Sequence, residues 1–395
     1  MKVLFFEWKS YGNDDIKEAF EALNIGVVSK AYSSKDNYHD EEIEKRLLDE
    51  IKENNPDFIF SFNYYPPIAY AANKASVPYI SWIYDSPYVM IYSCSVILDT
   101  NYIFVFDKSV YEEFFNSGIT TVHYLPLAAN TDRLNRMLTD PVLKDKFINS
   151  KWSNKTDISF VGSLYNEAHN FYRRLHSIDD YTRGYLEGII DAQRKVSSFN
   201  FVKTMLSDRI MDAMYVDLPL KPEADSVAKR EYYFGEYVIN REITARERPE
   251  YIEVAAKNYG GLDLYTKNEE FSLPQVINHG PVDYYDYAPF VYRNAKVNLN
   301  ITLRSIHTGI PLRVFDILGA GGFLLTNYQA DLTDCYIENQ DYVAYSCKEE
   351  MLDKLDYYLR NDTERQRIAM SGLKKTMDEH TYIKRVGSMV NIVFK

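Results

Sequence analysis

Cysteine is scarce in this chain: there are three, Cys94, Cys335 and Cys347, odd in number and far apart. That excludes a disulfide scaffold and the close pairing of a zinc ribbon, so all three are expected to be reduced thiols. Long hydrophobic runs are also missing. Apolar stretches are strand-length and broken by Asp, Asn, Ser or Lys, short of the roughly 20 residues a bilayer crossing needs. The opening run Val3-Leu4-Phe5-Phe6 stops at Glu7, too soon for the core of a secretion signal, and the expected location is cytoplasmic. Positive charge is in deficit, with 45 Lys and Arg against 57 Asp and Glu and a net charge of -12. Without a basic stripe to neutralise a phosphate polymer, nucleic acid is excluded as a partner. No His, Cys or carboxylate cluster has ligand spacing, so no metal is expected.

What is present suits two globular cores. The chain has 395 residues, 46% hydrophobic and 26% charged, enough for two α/β domains. Thirty-five tyrosines run through the whole sequence; aromatic rings stack on sugars, but rings spread this evenly read as ordinary half-buried residues. Residues 1–130 alternate strand-like runs (Val3–Phe6, Val27-Val28, Phe58–Phe62, Tyr79–Trp82, Tyr102–Phe106, Val122–Leu125) with helical spacing such as Ile16, Ala19, Phe20 and Leu23. That alternation predicts a parallel sheet covered on both faces, a Rossmann-like domain. Residues 131–156 are polar and read as a linker with some helix. A second α/β domain opens at Asp157–Val161 and runs to 379, interrupted over about 165–250 by helical periodicity alone. Residues 380–395 read as a helix that packs back on the first domain, through Tyr382, Val386, Met389 and Val393 on one face. Two such domains in series place a cleft between the carboxyl ends of two sheets.

The densest motif is the segment Ser305 to Asn327, a polar loop, a helix opening at Leu312 and a Gly-rich stop at Gly319, Gly321 and Gly322. The helix amides after Thr308 and Gly309 suit a diphosphate, and Asp316, one turn inside, can accept hydrogen bonds from ribose hydroxyls. Arg313 and Arg304 are candidates to neutralise phosphate. Gly162 and Ser163 lead the first βα loop of the second domain, where a phosphate needs a missing side chain. In the first domain Asp85 follows a strand, and Pro87 turns the chain, so its carboxylate is expected to face the cleft as a general base. Asp14 and Asp15 open a helix and read as caps.

This segment closely resembles the carboxyl-domain signature of the glycosyltransferases similar to the spore maturation protein CgeB. Leu4–Trp8 with Gly12, Trp82–Pro87, Tyr124–Ala128, Phe160–Ser163 and His380–Tyr382 with Arg385 resemble that family in the same order. The resemblance implies a GT-B fold, a nucleoside-diphosphate sugar as donor, a glycan, protein or small-molecule hydroxyl as acceptor, metal-independent chemistry and no cofactor. It puts the nucleotide base near Tyr265, at the end of the strand Leu264-Tyr265-Thr266; His279, with Gly280 and Pro281, reads as another loop at the cleft. Related enzymes carry two helix glutamates eight positions apart; Asp316 stands in the second place and Thr308 in the first, where it supplies no charge. A catalytically silent carbohydrate-binding or assembly protein, a nucleotide-sugar epimerase and a polyol-phosphate polymerase of the same fold remain alternatives.

Overall fold

The computed structural model describes residues 1–34, 36, 38, 40–167 and 170–395; two positions of the expected insertion, 168 and 169, lie outside the described residues. The first third folds into six strands: β1 Lys2–Glu7, β2 Gly26–Ala31, β3 Phe58–Phe62, β4 Tyr79–Trp82, β5 Asn101–Val105 and β6 Val122–Tyr124. They lie in the order β2-β1-β3-β4-β5-β6, each pair parallel. β3, Phe-Ile-Phe-Ser-Phe, is buried at every position, as a central strand covered on both faces must be. Its Phe60 sits beside Phe5 on one side and Ile80 on the other.

The second sheet holds β7 Ile158–Val161, β8 Leu262–Tyr265, β9 Val276–Asn278, β10 Val297–Asn300, β11 Leu324–Asn327 and β12 Val343–Tyr345. Its order is β12-β11-β10-β7-β8-β9, again all parallel. β9 was not expected from the sequence, because a short edge strand with no fully buried position has no apolar signature. The stretch expected to be a linker is two helices, Thr131–Thr139 and Pro141–Ile148. Asp140 starts the second by accepting the amides of Val142 and Leu143, with proline at the first helical position.

Among its described residues the regular elements of the insertion are all helices, and they have their own core around Leu186, Ile190, Phe234 and Val238. It also grips the first sheet layer. Ala228 and Tyr232 join the core of that layer, Tyr232 lies 4.6 Å from Tyr92, and the Val227 amide donates to the Tyr92 carbonyl at 2.8 Å. The helix Tyr382–Val393 crosses back, as expected. Tyr382, Val386 and Met389 are buried with Phe5, Phe60 and Trp82. Val393 is only half-buried, and Arg385 takes a buried place by donating to the carbonyls of Pro126 and Leu127.

Loops at the carboxyl ends of the two sheets meet. Gly12 N–H donates to the Tyr285 hydroxyl at 2.9 Å, and the Ser86 hydroxyl donates to the Ser305 carbonyl at 2.8 Å. Between them lies the edge where open α/β sheets bind ligands.

Candidate functional site

At the end of β7 the chain needs a glycine. Gly162 has φ +149°, and a Cβ there would overlap the guanidinium of Arg313. Arg313 comes from the first turn of the helix Leu312–Gly319; its Nη1 donates to Asn300 Oδ1 at 2.9 Å, and it lies 5.3 Å over the Phe160 ring. A second arginine, Arg248 of the helix Asn240–Asn258, reaches the same loop. Its Nη1 donates to the Ser163 carbonyl at 2.5 Å and its Nε to the Ile301 carbonyl at 3.0 Å. The guanidinium also lies 5.0 Å over Tyr165.

Among the described residues neither arginine has a carboxylate at ion-pair distance. Glu167 is engaged by the Ser163 hydroxyl at 2.7 Å, and Glu247 by Arg304. Burial, and then the neighbouring Arg313, push Arg248 down to about 10, and burial lowers Arg313 too. Glu167 and Glu247 pull on Arg248, and Asp316 on Arg313, only from beyond ion-pair distance, so the two enclosed cations are incompletely compensated. Arg248 escaped the sequence reading because Arg246-Glu247-Arg248 looks like the solvated face of a charged helix.

The remaining donor-side candidates fare differently. Asp316 is buried, with the Tyr284 hydroxyl donating to Oδ1 at 3.0 Å; burial raises its pKa to about 7 against the opposing pull of Arg133. A ribose hydroxyl taking this Oδ1 site has to displace Tyr284. Arg304 is spent: Nε and Nη2 form a bidentate pair with Glu247 at 2.8 and 2.6 Å. His279 is likewise saturated, with Nε2 at 2.7 Å from Asp263 and Nδ1 at 2.6 Å from the Lys151 carbonyl. Tyr265 stacks on that imidazole at 4.7 Å and donates to the Trp152 carbonyl, inside the core.

Thr308 and Gly309, in the loop ahead of Leu312, were expected at the donor, and in the structure Asp107, just after β5, occupies that loop. Its carboxylate accepts His307 N–H at 2.7 Å, Thr308 N–H at 3.3 Å and the Thr308 hydroxyl at 2.9 Å. Gly309 is small for the same contact, since a Cβ would strike Asp107. Asp15 does not cap its helix, which opens at Gly12 without a side-chain cap; it is the buried partner of Arg133 at 2.6 Å.

Asp85 does face outward after β4. Asn63, at φ +59° just beyond β3, donates to Asp85 Oδ2 at 2.8 Å and accepts the amides of Tyr84 and Asp85. Partial desolvation raises the Asp85 pKa, with Asn63 and Arg241 opposing. A carboxylate open to water yet ringed by protein is what the wall of a cleft produces. Asn63 carried no sequence signal beyond its place after a buried strand.

Two parallel six-stranded sheets meeting at their carboxyl edges settle the architecture. The fold is GT-B. Residues 244–391 match the family model described as glycosyl transferase-like, a span that takes in Arg248, Arg313 and Asp316 and begins at the end of the insertion. Among solved structures, a glycosyltransferase from Rickettsia africae is similar at 9% identity, over 99% of this chain and 97% of that one, with a TM-score of 0.53. HepE of Anabaena in complex with UDP-glucose is similar at 10% identity, over 100% and 99%, also at 0.53. Sucrose-phosphate synthase from Thermosynechococcus elongatus gives 9% identity, 100% and 99% coverage and a TM-score of 0.50. No curated protein matches the sequence. Among the described residues no helix is long and apolar enough to cross a membrane, and no group of three His, Cys, Asp or Glu is placed to hold a metal ion.

Proposed function

We propose that this GT-B protein transfers a sugar from a nucleoside-diphosphate sugar to a hydroxyl acceptor without a metal ion. The observation that carries the reading is the pair Arg248 and Arg313, enclosed beside Gly162 and Ser163 with no carboxylate of their own. A diphosphate supplies the missing anion, and guanidiniums bind phosphate oxygens in a bidentate manner. As the bond from the sugar C1 to the diphosphate breaks, the two cations stabilise the leaving group. The complexes of HepE with UDP and UDP-glucose make uridine nucleotides the first donors to try. The order of the motifs from Leu4 to Arg385 supports a place among the CgeB-like transferases.

In this reading Asp316 takes the ribose once Tyr284 yields, while Arg304 and His279 serve the scaffold. Asp85 takes the proton from the acceptor hydroxyl as its oxygen bonds to C1; a raised pKa and the grip of Asn63 suit a base. The test is release of nucleoside diphosphate across a panel of sugar nucleotides, with and without acceptors. Asp85→Asn is expected to keep donor affinity and lose roughly 100-fold in transfer rate. Donor binding without turnover on any panel member means a silent carbohydrate-binding protein instead, and normal transfer by Asp85→Asn removes that residue from the mechanism.

A further inference from the structure

A second cavity flanks the arginine site and shares none of its residues. Its volume is about 90 Å³, between the loops after β4 and β5, the insertion and the loop before Leu312. Its walls are aromatic and aliphatic, chiefly Tyr88, Ile91, Tyr92, Val110 and Tyr232. Asp85 and Glu113, both exposed, also line it.

Polar groups in this cavity are unusually placed. The Ser305 hydroxyl is buried without a partner among the described residues. His307 Nε2 lies 2.9 Å from Glu236 Oε1, and Lys203 Nζ lies 3.6 Å from the same carboxylate, which is buried and also accepts Asn240 Nδ2 at 2.7 Å. Enclosing such charges brings little stability once desolvation is counted. Glu236 sits in the π-helical turn Tyr233–Ile239, a distortion often found at functional sites. An unpartnered hydroxyl and a charged cluster facing an apolar cavity point to a ligand with one polar end and one apolar body.

We propose that this cavity seats the acceptor, and that the acceptor is a small hydroxyl compound with an aryl or alkyl body and not a polysaccharide chain. This rests on the transferase reading above. The reacting hydroxyl lies by Asp85 near Ser305, which the Ser86 hydroxyl ties to the Asp85 loop at 2.8 Å. The body fills the space against Tyr92, Val110 and Tyr232. The insertion, which provides Tyr232, Glu236 and Lys203, is what closes this seat.

The test is saturation-transfer NMR on the full chain with four probes: 2-phenylethanol, phenyl β-D-glucoside, glucose and maltotetraose. Saturation is expected on the aryl protons of the first two, in mutual competition, and not on maltotetraose. Val110→Trp, entering from a half-buried helix position, is expected to reduce the aryl signal at least 10-fold; Val110→Phe serves if the larger ring disturbs the circular dichroism. Equal saturation of maltotetraose, or aryl saturation unchanged in both variants, overturns the proposal. Titration of nucleoside diphosphate into the same samples separates the two readings. Aryl binding without nucleotide binding sinks the transferase reading and with it the acceptor role, leaving an aryl-binding cavity, whereas nucleotide binding without aryl binding sinks the acceptor proposal alone.

Discussion

Arg304 and Arg313 look alike in the sequence, one just after a strand and one just inside a helix, and their neighbours tell them apart. Arg304 has Glu247, so Arg304→Ala leaves a buried carboxylate unpaired and is expected to destabilise the fold by about 3 kcal/mol while the folded protein keeps its nucleotide affinity. Urea unfolding and nucleotide titration on that variant check both halves. Arg313 has the neutral Asn300 and the Phe160 ring, which no spacing rule reveals, because partners are set by packing across the chain. Asp316 was legible by its helix position, yet its burial under Tyr284 was not. Its pKa, raised from 3.8 to about 7, means that the folded state holds a proton the unfolded chain releases. The associated stability is therefore complete below pH 4 and is lost as pH rises toward and through 7. Relative to Asp316→Asn, the wild type is expected to lose up to about 4 kcal/mol across that window, read as the difference in thermal midpoint between the two at pH 4 and pH 8. Parallel midpoints would mean that Asp316 is not protonated in the fold.

At the scale of elements, the strands were legible where apolar runs were bounded by turns, as in Phe58–Phe62 and Tyr79–Trp82, and lost where burial was partial, as in β9. The helix Ala288–Asn294 was lost because its first turn, Ala-Pro-Phe, reads as a break. Periodicity showed that 165–250 is helical but not that Tyr232 belongs to the core of the first layer, since tertiary docking leaves no local trace. The terminal helix was legible in both face and destination. Met389 is 1% exposed within the first-layer core, so Met389→Ala is expected to cost about 2 to 4 kcal/mol. A urea midpoint within error of wild type would show that the helix adds nothing to the first layer.

For the whole molecule, the decisive contacts join elements far apart in the chain. Asp107 clips the loop of Thr308, Arg133 joins Asp15, and the hydroxyls of Tyr84 and Tyr382 share a short hydrogen bond. These pairs are far apart in sequence, so the order of motifs pointed to two domains and a cleft without showing which polar groups the cleft leaves free. Arg248 and Arg313 have neutral partners and, among the described residues, no carboxylate at ion-pair distance, and a diphosphate on them is the central claim. Isothermal titration tests it most directly: the tightest of UDP, GDP, ADP and dTDP is compared with its own nucleoside on the wild type, Arg248→Ala and Arg313→Ala. Since charged hydrogen bonds contribute about 1.5 to 3 kcal/mol each, the diphosphate is expected to bind at least 100-fold more tightly than the nucleoside, and each substitution to remove roughly 10- to 100-fold of that advantage. A diphosphate bound no better than its nucleoside, or held with wild-type affinity by both variants, would contradict it.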